Sequence, residues 1–370
     1  MVIPEHILSE VVAAFDFGSP VISVARFGSG HVNDTFRVET SLSDPNHNCF
    51  ILQRISEVAF HHPDEVMANV YGITEFLGKK IIQEGGDRSR EALEIIRPRN
   101  GELYYKDSEG GAWRVYPFIT DIVCYQTAET PELFAASGRA FGRFQRMLDG
   151  YPADTLYETI PHFHDTEDRL AKLKAAIAAD ALGRVKDCEA EIEFVLAREA
   201  DCSVALQALR DGILPLRVTH NDTKLNNVLI DKRTGEGLCV IDLDTVMPGL
   251  SINDFGDSIR FGANHCAEDE KDLSKMNLDL ELFETYAAAF LEGAGGSLTD
   301  AELEYMPWGA KLMTLECGMR FLTDYLSGDT YFHIQREGQN LDRCRTQFKL
   351  VSDMEAHWDE MNAIISKFRK

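Results

Sequence analysis

The chain has no surplus of positive charge, no membrane-length apolar run and no cysteine pairing motif. Its 37 Lys and Arg face 61 Asp and Glu, a formal net charge of −24. Such a surface repels a polyanion, and no basic stripe interleaved with aromatics offsets it, so nucleic acid is excluded as a partner. No apolar run reaches the ~20 residues a membrane helix needs. The opening MVIPEHILSE lacks a basic stretch followed by an apolar core, so no secretory signal is expected. Eight cysteines are scattered and none forms a C-x-x-C pair. Several lie in apolar runs, as buried free thiols of a cytoplasmic protein would. There is no internal repeat, low-complexity tract or long flexible linker, and nothing that bears on oligomeric state.

What remains is an ordinary globular composition, 44% hydrophobic and 26% charged over 370 residues. That length suits two domains at ~150 residues each. Residues 5–16 read as a short amphipathic helix. Strands follow at 21–27, 34–40 and 50–55, the first two joined by Gly28-Ser29-Gly30-His31-Val32-Asn33. Val66, Val70, Ile73, Leu77 and Ile81 recur at helical spacing, which predicts a helix over 64–83. Strand-like pieces return at 93–96, 103–106 and 113–118. Beyond residue 130 helices dominate, at 131–148, 165–181 and roughly 187–210. A small β-rich insert at 216–244 interrupts them.

The insert carries the chemistry. Val218 to Asn227 has the polar pattern H-x-D-x-x-x-x-N, set by His220, Asp222 and Asn227. Asp242 then ends an apolar strand after the turn at 232–237. A returning hairpin would bring Asn227 and Asp242 to one open end, where two oxygens can share Mg²⁺. Asp222, on the same rim, would take the proton of an acceptor hydroxyl. Kinase-type phosphoryl transfer uses this trio, and ATP would be the donor. Asp244 lies two residues on, so on a strand it shares a face with Asp242; it reads either as a second metal ligand or as a solvated turn residue. Lys224 reads either as a neutraliser of the moving phosphate or as a solvated side chain. His220 reads as structural.

With this motif the layout resembles a protein-kinase-like fold, α+β and two-lobed. Residues 1–118 form a small antiparallel β lobe with one helix, and 119–370 a larger, mainly helical lobe for catalysis and acceptor binding. Gly28 and Gly30 would let backbone amides approach nucleotide phosphates, and His31 and Asn33 reach toward substrate. The third strand departs from the pattern. Where protein kinases place a phosphate-binding Lys, it offers Gln53, with Arg54 on the alternate face. Glu75 pairs with Arg54 or is simply exposed. Further on, Glu316, Arg320 and Asp324 recur at four-residue steps on one helical face, and the Gly328–Phe332 turn would return Tyr331 over that stripe. A salt-bridge ladder is the other reading of the stripe.

The segments HNDTKLNNVLID, VIDLDTVMPGLSINDFGDSIRFGAN and LECGMRFLTDYLSGDTYF resemble the aminoglycoside phosphotransferase and choline kinase group. Within it the chain is most similar to the N-acetylhexosamine 1-kinases. The resemblance implies ATP- and Mg²⁺-dependent phosphorylation of the anomeric hydroxyl of N-acetylglucosamine or N-acetylgalactosamine. It implies Asp222 as base, Asn227 and Asp242 as metal ligands, and Arg320 and Tyr331 as sugar contacts. It also implies adenine contacts from the backbone around Tyr116, Phe118 and Ile119. Kinases of choline, homoserine, aminoglycosides or other hexoses stay open, as does a non-catalytic pseudokinase-like protein.

Overall fold

The computed structural model describes residues 3–28, 32–44 and 47–369. They divide into two compact units. The first comprises 1–124, 150–161 and 228–247, and the second 125–149, 162–227 and 248–370. The division does not follow a single cut at residue 118, because the 228–240 hairpin pairs with Ile122–Val123 of the first unit.

The first unit is built on a five-stranded antiparallel sheet of β1 (Val21–Arg26), β2 (Asp34–Thr40), β3 (Cys49–Arg54), β4 (Tyr105–Lys106) and β5 (Ala112–Pro117), in the order β1-β2-β3-β5-β4. Alternation sets its faces: Phe36, Val38 and Thr40 of β2 are buried while the residues between them are half-buried. Ile7 and Val11 of the first helix, α1 (Glu5–Ala14), join Phe15, Phe36, Leu52, Trp113 and Val115 in one core cluster. The second helix, α2 (Pro63–Gln83), starts at a proline, whose fixed φ suits a first turn. It buries Val66, Val70, Ile73, Leu77 and Ile81, the positions expected from the sequence. The strand predicted at 93–96 is reduced to an isolated bridge, Ile96 to Val115, and the one at 103–106 to β4.

The second unit is helical. Pro131–Met147 packs against Leu280–Ala294, and Ser251–Gly262 against Asp300–Ser327. Small residues allow the second approach: a Cβ on Gly256 would sit 2.2 Å from the Gly309 carbonyl, and one on Gly309 would sit 2.1 Å from that of Ile252. The single helix expected over 187–210 is broken into Glu189–Leu196 and Val204–Arg210 with a short 3₁₀ turn between. Asp300–Ser327 begins with a complete capping box from Thr299 and Glu302 and ends at Gly328, φ +102°. Among the described residues no helix is long and apolar enough to cross a membrane. The molecule thus has the α+β, protein-kinase-like fold read from its sequence.

Candidate active site

The second unit holds the H-x-D-x-x-x-x-N loop after the short strand Arg217–Thr219. His220 is fully buried, with the rings of Phe141 and Phe144 edge-on at 5.4 and 5.8 Å. Asp254, on the Ser251–Gly262 helix, accepts the backbone N–H groups of His220 at 2.9 Å and Asn221 at 2.8 Å, and Gln145 Nε2 at 2.6 Å. Asn221 adopts φ +65°, a conformation that Asn tolerates better than most residues. Thr223 is clamped too: its N–H reaches Asp257 Oδ2 at 3.1 Å and its hydroxyl the Asp254 carbonyl at 2.6 Å. Asp222 sits between these anchored neighbours. Burial pushes the Asp254 carboxyl up, against the hydrogen bonds it accepts. Burial acts on Asp257 in the same sense, but Arg260 and Lys224 outweigh it and hold that carboxyl low.

Asp222 is half-buried and pairs through Oδ1 with Lys224 Nζ at 2.7 Å. Burial opposes the Lys224 charge, yet Asp222 and Asp257 prevail and raise its pKa. Asn227 Nδ2 donates to the Asp222 carbonyl at 2.8 Å and to its Oδ2 at 3.1 Å. That leaves the Asn227 side-chain oxygen without a hydrogen bond among the described residues. A free amide oxygen locked beside a carboxylate is a donor that suits Mg²⁺.

The long Asp300–Ser327 helix supplies the other wall of this unit's polar cluster. Glu316 is 2% exposed; its Oε1 lies 3.0 Å from His164 Nδ1, and its Oε2 has no hydrogen-bond partner among the described residues. His164 Nε2 lies 3.0 Å from the Asn221 carbonyl. Carboxylate and carbonyl are both acceptors, so against an ionised Glu316 both ring nitrogens carry protons. Burial opposes that imidazolium, but Glu316 outweighs it and the His164 pKa is raised. Arg320 is half-buried against the rings of Phe163, Tyr331 and Phe332, and its Nη2 meets the Tyr331 hydroxyl at 3.5 Å. Arg169 donates to the Phe163 carbonyl at 2.8 Å, and its buried Nε has no hydrogen-bond partner among the described residues. Among the described residues neither arginine has a carboxylate within ion-pair distance. Burial, then the Arg320 charge, push the Arg169 guanidinium down.

Asp324 does something else. Its Oδ1 accepts the N–H groups of Thr330 and Tyr331, and its Oδ2 those of Phe332 and the Asn340 amide, at 2.8 to 2.9 Å. The carboxylate is engaged in folding the turn that brings Tyr331 toward Arg320.

In the first unit, Gln53 of β3 is paired with Arg114 of β5. Gln53 donates to Thr35 Oγ1 at 3.1 Å and accepts from Arg114 Nε at 3.1 Å. The Arg114 guanidinium forms a two-pronged ion pair with Asp244, Nη1 to Oδ1 and Nη2 to Oδ2, the second at 2.9 Å. Asn33 Nδ2 also donates to Asp244 Oδ2, at 2.7 Å. Both oxygens of Asp244 are thereby occupied and the residue is 3% exposed. Asp242, by contrast, is exposed and held at φ +60°, ψ +56°, where the chain leaves the hairpin. Arg54 pairs with Glu57, and Glu75 with Arg88 rather than with Arg54. Tyr116 and Ile119 are buried; the N–H of Phe118 donates to the Cys49 carbonyl at 3.0 Å, and its ring meets Phe27 edge-on. Gly28 takes φ +77° after β1, while Gly30 and His31 lie outside the described residues.

Residues of these clusters not singled out in the sequence include Arg114, His164, Arg169 and Asp254. Two left a signal. Arg114 stands in WRVYP, a strand otherwise apolar enough to be buried, and Asp254 sits in the first turn of a helix that is buried almost throughout. His164 and Arg169 left none.

Residues 23–301 match the model of the phosphotransferase enzyme family, APH. Solved structures share the fold. An aminoglycoside phosphotransferase from Alicyclobacillus acidocaldarius aligns at TM-score 0.60 and 13% identity, covering 99% of this chain and 97% of that one. A spectinomycin phosphotransferase in complex with ADP and spectinomycin gives 0.52 and 14%, over 97% and 100%. A choline kinase from Cryptosporidium parvum gives 0.52 and 13%, over 93% and 92%. The family match spans three quarters of the sequence and includes the Asp222 loop and Asp242, and the chain belongs to the phosphotransferase enzyme family.

Proposed function

We propose that the protein is an ATP- and Mg²⁺-dependent kinase of a neutral, polyhydroxylated acceptor, phosphorylating the anomeric hydroxyl of an N-acetylhexosamine. The observation that carries this reading is the charge around Glu316. Arg169, Arg320 and the His164 imidazolium gather around it, while the other carboxylates that act on them, Asp168 and Asp257, are paired with Lys172 and Arg260, in a chain of net charge −24. A choline-like cation is recognised by an aromatic cage or by surplus carboxylate, and this cluster is cationic instead. Arginine and tyrosine donors with one free carboxylate oxygen suit the hydroxyls and amide of a neutral sugar.

In this reading Asp222 accepts the acceptor proton as the sugar oxygen bonds to the γ-phosphorus and the bond to the β-phosphate oxygen breaks, releasing ADP. Asp254 and Asp257 keep that carboxylate in place through the backbone on either side of it. Lys224 offsets charge on the moving phosphoryl group. Asn227 and Asp242 would hold Mg²⁺, whose contribution is to neutralise phosphate charge. Most of the rate would come from positioning and electrostatics. Free thiols and the lack of a membrane-length helix among the described residues support a cytoplasmic site of action.

The test is incubation with ATP, Mg²⁺ and, separately, N-acetylhexosamines, hexoses, choline and an aminoglycoside, with the phosphate located by ³¹P NMR. An N-acetylhexosamine 1-phosphate is the expected product. Phosphate on choline or the aminoglycoside alone would refute the reading.

A further inference from the structure

Residues paired across antiparallel strands point to the same face of the sheet. Arg114 on β5 therefore shares its face with Gln53 on β3, the position at which a lysine was expected. A guanidinium carries five N–H donors. Here Nε engages Gln53, Nη1 engages Asp244 and the Met67 sulfur, and Nη2 engages Asp244. One N–H of Nη2 has no acceptor among the described residues, on a residue that is 1% exposed. A buried donor without an acceptor is costly, so a residue this enclosed invites a ligand oxygen. Asp244 has the opposite balance. Two guanidinium nitrogens and Asn33 already occupy it, which leaves little for a metal ion.

We propose that Arg114 is the phosphate-binding cation of the nucleotide site, supplied from β5 in place of a third-strand lysine, with Asp244 as its counter-ion rather than as a metal ligand. The proposal rests on the ATP-dependent reading above. Gln53 then orients the guanidinium through Nε, and its own amide is oriented by Thr35. The ion pair that kinases place between a strand lysine and a helix glutamate is moved here to the next strand and to the segment after the hairpin.

Calorimetric titration with ADP in EDTA and with Mg²⁺, alongside steady-state kinetics, tests this. Binding of ADP to the unaltered protein checks the nucleotide reading by itself, and its absence would remove that reading, not only this inference. Arg114→Gln is expected to weaken metal-free ADP binding at least tenfold and to raise the KM for ATP, leaving the acceptor KM within twofold. Arg114→Lys retains most of the binding, and Gln53→Lys added to Arg114→Gln restores it. Asp244→Asn leaves the Mg²⁺ concentration for half-maximal rate within twofold, whereas Asp242→Asn raises it severalfold. Two results overturn the proposal: ADP binding unchanged in Arg114→Gln with only a lower melting temperature, or an Mg²⁺ shift in Asp244→Asn as large as in Asp242→Asn. If Arg114→Gln does not fold, the Arg114→Lys and Asp244→Asn arms decide.

Discussion

Arg114 is buried and Arg320 half-buried, each beside aromatic rings, but their surroundings are opposite. Arg114 has a carboxylate partner on both prongs, and that partner is further bonded by Asn33. Among the described residues Arg320 has a phenol at 3.5 Å and no carboxylate within ion-pair distance, and one oxygen of its helix neighbour Glu316 has no hydrogen-bond partner. A buried charge needs a partner. At Arg114 the protein supplies that partner and leaves one N–H for the proposed phosphate; at Arg320 it supplies no carboxylate partner among the described residues, and the proposed acceptor takes that place. The first unit thus carries a nearly closed electrostatic cluster, and the second an open one.

The largest effect belongs to the loop beside the open cluster. Asp222→Asn should lower kcat by about 10²–10⁴-fold, the range of a lost general base, with nucleotide affinity by calorimetry largely kept. Near-normal turnover would remove Asp222 from that role.

Next comes the contrast itself. Arg114→Met strands the buried Asp244, and breaking a buried pair from one side costs about 3–5 kcal/mol. Arg320→Met breaks no ion pair, so its cost in urea unfolding should stay below about 1 kcal/mol, while the acceptor KM rises roughly tenfold, the size of one lost charged hydrogen bond. Equal destabilisation by the two would end the distinction between closed and open.

A smaller effect is pH dependence through His164. Its folded pKa lies above the unfolded value, so its contribution is fully present below about pH 6.5 and is lost as pH rises through the raised value. Once a ring nitrogen loses its proton, either Glu316 or the Asn221 carbonyl loses a donor. His164→Gln should therefore flatten the decline of stability between pH 6.5 and the alkaline range, roughly 1 kcal/mol for one such bond. An unchanged pH profile of melting temperature would contradict the imidazolium.

The sequence made some of this legible. The 3.6-residue spacing in 64–83 and the alternation in β2 set burial directly, so α2 and the sheet could be read. The spacing of His220, Asp222 and Asn227 is local and survived as geometry, with Asn227 bonded to Asp222. Four-residue spacing gives the helix face of Asp324 but not what approaches it: the turn at 329–332 folds back onto that carboxylate. The Arg114–Asp244 pair spans 130 residues of sequence and depends on strand order, which no local pattern encodes. His164 reaches its two partners across 152 and 57 residues for the same reason.

The central claim is that the open cluster accepts a neutral sugar because it is itself cationic. N-acetylglucosamine and glucosamine differ at one nitrogen, neutral in the first and protonated in the second near neutral pH. The ratio of their kcat/KM values at pH 7 measures that claim directly. At least a hundredfold preference for the N-acetyl sugar is expected, and equal or better use of glucosamine would contradict it.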